Sequence, residues 1–181
     1  FDNLTFFIVV ISFVFELKFE IKNGNYNLAV DIHSNVGTAL IDKAREIYPL
    51  NDVQEVIRQT KVNTLYFPDE GSVKRYADKF NQPFVFGMKK RDWESGKILG
   101  LDVLGNVELV KGKNILIIDD ICSRGGTFYH SAKKLKELGA NKIYLFVTHC
   151  ENTILEGELL TSGLIEKVYT TNSIFTAQHE K

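Results

Sequence analysis

The segment ILIIDDICSRGGT, residues 115–127, decides the fold. It opens on four apolar residues, which is typical of a buried strand in a parallel sheet, and continues into Asp119 and Asp120. The loop that follows consists of small residues and one cation: Ser123, Arg124, Gly125, Gly126 and Thr127. Small residues at the start of a helix leave backbone N–H groups exposed, and the helix dipole favours an anion there. Taken alone, the Asp pair is equally compatible with a helix cap, but with this loop it predicts a phosphate site.

Strands and helices alternate on both sides of this segment. The predicted strands are 28–31, 62–67, 83–88, 114–118, 143–147 and 167–170. Four helices are predicted from apolar stripes at helical spacing: Val36, Leu40, Ala44 and Ile47; Val53, Val56 and Ile57; Val73, Tyr76, Ala77 and Phe80; and Phe128, Ala132, Leu135 and Leu138. The second begins at Asn51, with Gln54 at the spacing of a capping box, and Thr153 with Glu156 could cap a further helix. The pattern predicts an α/β fold, a parallel sheet flanked by helices on both faces.

Ligands bind such sheets beyond the carboxyl ends of the strands. Four polar clusters directly follow predicted strands: DIHSN at 31–35, PDEGS at 68–72, MKKR at 88–91 and DDICSRGGT at 119–127. We therefore expect these clusters to meet at one edge of the sheet.

Bulk composition restricts the class of protein. The chain has 181 residues, 44% hydrophobic and 25% charged, with a net charge of −1, so it offers no general attraction to nucleic acid or to an anionic membrane. Cys122 and Cys150 lack the spacing of a metal site or the number of a disulfide scaffold, which favours a reducing, cytoplasmic setting. The apolar run at 6–15 is shorter than the roughly 20 residues of a membrane span and predicts one or two buried strands. Residues 1–26 are interpreted as a remnant of an N-terminal domain, and 27–181 as one domain.

The four clusters together resemble a known family. Residues 115–127 resemble the ribose-phosphate loop of the type I phosphoribosyltransferase fold, and the neighbouring segments resemble ribose-phosphate diphosphokinase (phosphoribosyl diphosphate synthetase). FPDEGSVKRYAD is similar to the family's Pro-Asp-x-Gly segment, DIHSN to its Asp-Leu-His metal segment, and MKKR to the Lys-x-Arg of its catalytic loop. The segments GNVELVKGKNILIIDD, LGANKIYLFVTHC and VYTTNSI follow the family's order, so the resemblance covers 27–175.

The resemblance implies transfer of diphosphate from ATP to the 1-hydroxyl of ribose 5-phosphate or a substituted ribose phosphate, for nucleotide or NAD synthesis. It assigns Lys89 and Arg91 to catalysis, and His33 and Asp69 to Mg²⁺. The implied substrate-binding residues are Gly71, Asp119, Asp120, Ser123, Arg124, Gly125, Gly126 and Thr127. Without the resemblance, Lys89 and Arg91 would be an ordinary solvated charge run, and Asp69 a helix N-cap. The family also implies a homo-oligomer, a dimer or a hexamer.

Two departures from the family pattern leave alternatives open. Ser123 and Arg124 stand where the family usually has Asp-Thr, and an arginine suits an extra phosphate, as in ADP-ribose. The family's ATP-binding N-terminal segments are not recognisable in 1–26. The alternatives are therefore a non-catalytic regulatory homologue of the synthetase and a phosphoribosyltransferase that acts on a base.

Overall fold

The computed structural model of the chain describes residues 8–11, 27–33, 39–40, 43–91 and 98–177. The strands are β1 (Ile8–Ile11), β2 (Asn27–Val30), β3 (Ala44–Ile47), β4 (Thr64–Phe67), β5 (Phe84–Arg91), β6 (Ile98–Leu104), β7 (Ile115–Cys122), β8 (Ile143–Cys150) and β9 (Lys167–Thr171). The helices are α1 (Leu50–Thr60), α2 (Glu70–Tyr76) and α3 (Gly126–Glu137). Short 3₁₀ helices occupy Ala77–Lys79, Val107–Leu109 and Asn152–Glu156.

Seven strands form one sheet in the order β1-β9-β8-β7-β4-β5-β6. All neighbouring pairs are parallel except β5 and β6, which are antiparallel. Strands β2 and β3 form a separate parallel pair. Strand β7 lies between β4 and β8, and the three strands are parallel. Their carboxyl ends therefore lie at the same edge of the sheet.

The core lies on both faces of the sheet. Alternate residues of β7 point to opposite faces, so Ile115 and Ile117 belong to one buried cluster and Leu116 and Ile118 to another. The first cluster contains the buried stripe of α3: Phe128, Ala132 and Leu135. The second contains the stripe of α1: Val53, Val56 and Ile57. The predicted α/β architecture, with helices on both faces of a mostly parallel sheet, is confirmed.

The helix predicted over 36–47 is wrong in its second half. Residues Ala44–Ile47 form β3, paired in register with Asn27–Val30, and Leu40 is 80% exposed rather than on an inner face. Lys43 has a φ of 52°, a left-handed conformation that no helix continues through. Pairing with β2 therefore overrides an apolar spacing that also suits a helix.

Other boundaries differ from the sequence expectation in smaller ways. Helix α1 begins at Leu50 after Pro49 and has no side-chain cap, so the predicted capping box is absent. Thr153 bonds Glu151 instead of capping an α-helix, and the segment there is a 3₁₀ helix. Strand β6 was not predicted, and it pairs antiparallel with β5, which contains residues 89–91 at the start of the charged run.

The described part of the first 26 residues is β1, which pairs with β9 through Ile8↔Val168 to Ile11↔Thr171. A strand within the apolar run was predicted, whereas the rest of that run lies outside the described residues. The assignment of 1–26 to a second domain stays a prediction. No helix in the described ranges is long and apolar enough to cross a membrane.

Gly87 on β5 provides a test of packing within the sheet. A Cβ at this position would overlap the Tyr66 hydroxyl and lie 2.7 Å from the Pro68 carbonyl oxygen. Gly87→Ala should therefore lower the free energy of unfolding by roughly 1–3 kcal/mol, as overpacking does. Gly100→Ala on β6 is the matched control, because a Cβ there meets nothing within 4 Å. Urea denaturation of both variants measures the difference, and equal stabilities would contradict the packing argument.

Candidate functional site

A cleft of about 630 Å³ opens at the carboxyl edge of the sheet. Its walls come from the end of β7 with the following loop, from the start of α2, from β5 and from the turn after β2. The cleft brings together these residues from all four predicted clusters: His33, Asp69, Gly71, Lys89, Asp119, Asp120, Ser123, Arg124, Gly125, Gly126 and Thr127. Arg91 lies on β5, but its side chain is outside the part of the chain that the structure describes.

The phosphate loop, residues 123–127, turns sharply into α3. Gly125 precedes the helix with a φ of 80°, which a side chain would strain, and a Cβ there would lie 2.8 Å from Leu159 Cδ2. A Cβ on Gly157 would overlap the Arg124 carbonyl oxygen and lie 2.9 Å from its carbon. The segment after β8, which includes Gly157 and Leu159, therefore packs directly against the phosphate loop and restricts its conformation.

Arg124 extends from this loop to the rim of the cleft. Its Nη2 lies 3.2 Å from Glu156 Oε2, and the two side chains are 73% and 60% exposed. An exposed pair of this kind contributes little to stability, since water screens it. The guanidinium can therefore turn toward an anion in the cleft at small cost.

Asp119 lies between the phosphate loop and α2. Ser72 Oγ donates to Asp119 Oδ1 at 2.8 Å and lies 3.3 Å from Asp69 Oδ1, so the two carboxylates approach the same hydroxyl. Burial, followed by the charge of Asp120, raises the pKa of Asp119 to about 7.

Asp69 is also the N-cap of α2, since its Oδ1 accepts a hydrogen bond from Ser72 N at 3.0 Å. Gly71 follows in the first turn, where a Cβ would lie 3.1 Å from that same oxygen.

Asp120 is buried and ionised. Its Oδ2 accepts from Arg75 Nη1 at 2.5 Å and from His33 Nδ1 at 2.7 Å. Burial acts to raise the pKa of Asp120, but the hydrogen bonds and positive charge of Arg75, with His33, outweigh it and lower the pKa. Because His33 Nδ1–H donates to the carboxylate, its Nε2 carries the lone pair, which is the tautomer of a metal-binding histidine.

The turn that carries His33 is held by a buried carboxylate, Asp31. Asp31 is 1% exposed, and it accepts hydrogen bonds from Thr148 Oγ1 and from the Tyr76 hydroxyl at 2.7 and 2.8 Å. Burial raises the pKa of Asp31 against these hydrogen bonds. Arg75 Nη1 lies 3.8 Å from Asp31 Oδ1, and Arg75 Nη2 donates to the His33 carbonyl.

Sequence reasoning did not assign Ser72, Arg75, Tyr76 or Asp31 to the site. A signal for three of them was present, because positions 72, 75 and 76 share one face of the α2 stripe and Asp69 precedes them on that face. Asp31 was part of a quoted cluster, but its burial follows from contacts with Thr148 of β8 and Tyr76 of α2, which no local pattern reveals. His149 Nε2 donates to the Val30 carbonyl at 2.9 Å, so His149 supports the turn instead of lining the cleft.

Lys89 approaches the phosphate loop from the opposite wall. Its Nζ lies 3.5 Å from Thr127 Oγ1, the outer limit of a hydrogen bond. The strand β5 therefore places an ammonium group over the loop while the antiparallel pairing with β6 fixes its direction.

The carboxylates suit a hard cation such as Mg²⁺. Within the described ranges no group of three or more His, Cys, Asp or Glu side chains is arranged as a preformed metal site. Asp69 and Asp119 nonetheless point their oxygens at a common hydroxyl, and the Asp119 pKa is raised partly by the negative charges of Asp120 and Asp69. A divalent cation would relieve that repulsion, and carboxylate oxygens are its preferred ligands.

Comparison with known proteins shows which family the chain is similar to. A family model described as phosphoribosyl synthetase-associated domain matches residues 96–180. A ribose-phosphate pyrophosphokinase of Thermococcus kodakarensis is 34% identical over 138 residues, which cover 74% of this chain and 48% of that protein. One from Nostoc sp. is 37% identical over 110 residues, 59% of this chain and 32% of that protein. Over more than half of its length the chain is thus similar to ribose-phosphate pyrophosphokinases.

The chain spans between about a third and about half of the length of the curated pyrophosphokinases it matches. Another of them, from Thermoplasma volcanium, is 32% identical over 158 residues, which cover 81% of this chain and 54% of that protein. Solved structures support the fold. A phosphoribosylpyrophosphate synthetase of Mycobacterium smegmatis matches with a TM-score of 0.62 at 22% identity, over 81% of this chain and 48% of that one. An adenine phosphoribosyltransferase (APRTase) of Giardia lamblia matches with a TM-score of 0.50 at 16% identity, over 67% and 75%. The resemblance to ribose-phosphate pyrophosphokinases and the phosphoribosyltransferase-like fold predicted from sequence are both confirmed.

The raised pKa of Asp119 predicts a pH dependence of stability. In the unfolded chain the pKa of this carboxyl is near its ordinary value of 3.8, whereas in the folded protein it holds its proton up to about pH 7. The contribution of Asp119 to the free energy of unfolding therefore has its full value below about pH 4 and is lost as the pH rises through about 7. Asp119→Asn should remove this loss. Urea denaturation at about pH 5 and about pH 8, without divalent cations, measures it. A decrease of the same size in the variant would contradict the assignment.

Proposed function

We propose that the protein transfers diphosphate from ATP to the 1-hydroxyl of a ribose phosphate. The proposal agrees with the names of its relatives, which are ribose-phosphate pyrophosphokinases. The observation that carries the proposal is a single cleft in which a phosphate loop, an adjacent pair of carboxylates and an opposing lysine meet. Such a transfer requires charge neutralisation along a triphosphate and in-line positioning, with little covalent chemistry by the protein. The product would supply nucleotide or NAD synthesis.

The sugar phosphate binds through the phosphate loop. The first hydrogen bond of α3 runs from Tyr129 N to Gly125 O at 2.9 Å, so the N–H groups of 126–128 precede the helical ladder and are available to phosphate oxygens. Ser123 and Thr127 add hydroxyl donors, and the dipole of the helix favours the dianion.

Asp119 and Asp120 bind the ribose ring beyond the phosphate. An ionised carboxylate accepts hydrogen bonds from sugar hydroxyls, and Asp120 remains ionised because Arg75 and His33 donate to it. Its position in the central strand makes this acceptor rigid. The pair therefore orients the sugar so that its 1-hydroxyl points along the cleft.

Lys89 and Arg91 act on the triphosphate side. Lys89 lines the cleft from β5, so its long side chain can reach from the phosphate loop toward the transferred group and neutralise the charge that develops there. Arg91 lies two residues further along the same strand. His33 and Asp69, with Asp119 close by, would hold Mg²⁺. The cation would supply charge neutralisation between the ATP oxygens.

A substituted ribose phosphate such as ADP-ribose is a second candidate for the sugar. The specific observation is Arg124, which stands in the phosphate loop with its guanidinium at the open rim of the cleft. Arginine pairs with phosphate oxygens in a planar, two-bond geometry, so it can hold a phosphate beyond the one on the loop.

One assay separates these readings from the alternatives. The full chain is incubated with Mg²⁺, ATP and either ribose 5-phosphate or ADP-ribose, and AMP is measured. Sugar-dependent AMP supports the transfer, and the rate with each sugar decides between the candidates. Consumption of phosphoribosyl diphosphate with a base supports a phosphoribosyltransferase. No turnover in either assay supports a regulatory homologue and rejects the proposal.

Lys89→Ala tests the catalytic role of the lysine. Because its charge is needed most in the transition state, turnover should fall by about 100-fold or more while the affinity for the sugar phosphate changes little. AMP formation and calorimetric binding measure the two effects. Lys113→Ala, an exposed lysine before β7, controls for the loss of one positive charge. An unchanged rate in Lys89→Ala would remove this residue from the mechanism.

A further inference from the structure

A second groove continues from the cleft along α3. It has a volume of about 660 Å³ and shares Lys89, Gly126 and Thr127 with the cleft, so the two spaces meet at the phosphate loop. Its two long walls are α3 and the strand β6. A group attached to the phosphate on the loop would enter this groove directly.

The wall formed by β6 leaves room for a ligand. Gly100 and Leu101 line it, and a Cβ on Gly100 would meet nothing within 4 Å. No neighbouring residue therefore fills the space beside Gly100 that a side chain would occupy. Leu101 supplies an apolar surface beside this gap.

The wall formed by α3 is cationic. His130, Lys133 and Lys134 line it together with one acid, Glu137. Lys134 Nζ lies 3.3 Å from Glu137 Oε2, so the acid neutralises this lysine. Within the described ranges the ion pair that α3 makes along this wall involves Lys134, not Lys133. Lys133 lies six residues after Thr127, or about 9 Å along the helix at roughly 1.5 Å per residue.

We propose that this groove is a subsite for a substituent on the 5′-phosphate of the sugar. The substrate class is then a ribose whose 5′-phosphate is one half of a diphosphate linked to a nucleoside. The second phosphate contacts Lys133 and His130, and the nucleoside lies against Gly100 and Leu101. The inference rests on the proposed function for the position of the sugar phosphate. It assigns the second phosphate to α3, as an alternative to its position beside Arg124 at the rim of the cleft.

Two variants of the groove test the proposal. Gly100→Phe fills the open wall, and Lys133→Glu reverses the charge that faces the second phosphate. Each should weaken calorimetric binding of ADP-ribose by about tenfold or more, which is roughly 1.4 kcal/mol. Gly100→Phe acts by occupying the space of the nucleoside, and Lys133→Glu by replacing a charged hydrogen bond with repulsion. Binding of ribose 5-phosphate should stay within about twofold, because it does not reach the groove. Lys113→Glu controls for the change in net charge.

The outcomes distinguish this inference from the proposed function. Equal affinity of the wild-type protein for the two sugars would overturn the subsite, and so would variants that leave ADP-ribose binding unchanged or weaken both sugars alike. Selective loss of ADP-ribose binding supports the subsite even if no AMP forms with either sugar. That last result would reject the pyrophosphokinase activity alone.

Discussion

The contact of Asp120 with Arg75 and His33 holds the functional end of the molecule together. A buried carboxylate in a central strand is costly unless it is hydrogen-bonded to opposite charge, and Arg75 supplies that charge at 2.5 Å. The same guanidinium reaches the His33 carbonyl and lies near Asp31, so one side chain connects β7, α2 and the turn after β2. Among the described residues every buried side-chain nitrogen and oxygen has a hydrogen-bond partner, so this polar centre is fully satisfied.

Two neighbouring aspartates acquire different properties from this arrangement. Arg75 and His33 donate to Asp120 and lower its pKa, whereas among the described residues Asp119 accepts from the hydroxyl of Ser72 and a backbone N–H against its burial. The pKa values of the two carboxyls are therefore shifted in opposite directions. The lowered pKa favours the ionised form of Asp120, and the raised pKa favours a proton on Asp119 that a nearby cation can displace.

The sequence predicted most of the sheet and the location of the cleft, because both follow from local patterns. Continuous apolar runs mark β4, β7 and β8, and the rule on carboxyl ends brought their polar residues together. What it missed depends on long-range pairing. The segment Ala44–Ile47 has a spacing that suits a helix or a strand, and only β2 decides between them. Arg75 and Asp31 look like ordinary residues of a helix and a turn, and their roles arise from contacts across 45 positions or more. Gly100 shows no signal at all until β6 is placed beside α3.

The close approach of Gly157 to the Arg124 carbonyl has a consequence for redesign of the protein. At this point the phosphate loop and the segment after β8 touch through backbone atoms. A shift of the loop at Arg124 therefore cannot be absorbed by a rotamer of Gly157 and must move the chain between β8 and β9. Altering the sugar preference through the loop would thus require both segments to be redesigned together, whereas the walls of the adjoining groove are built from side chains and can be changed one at a time.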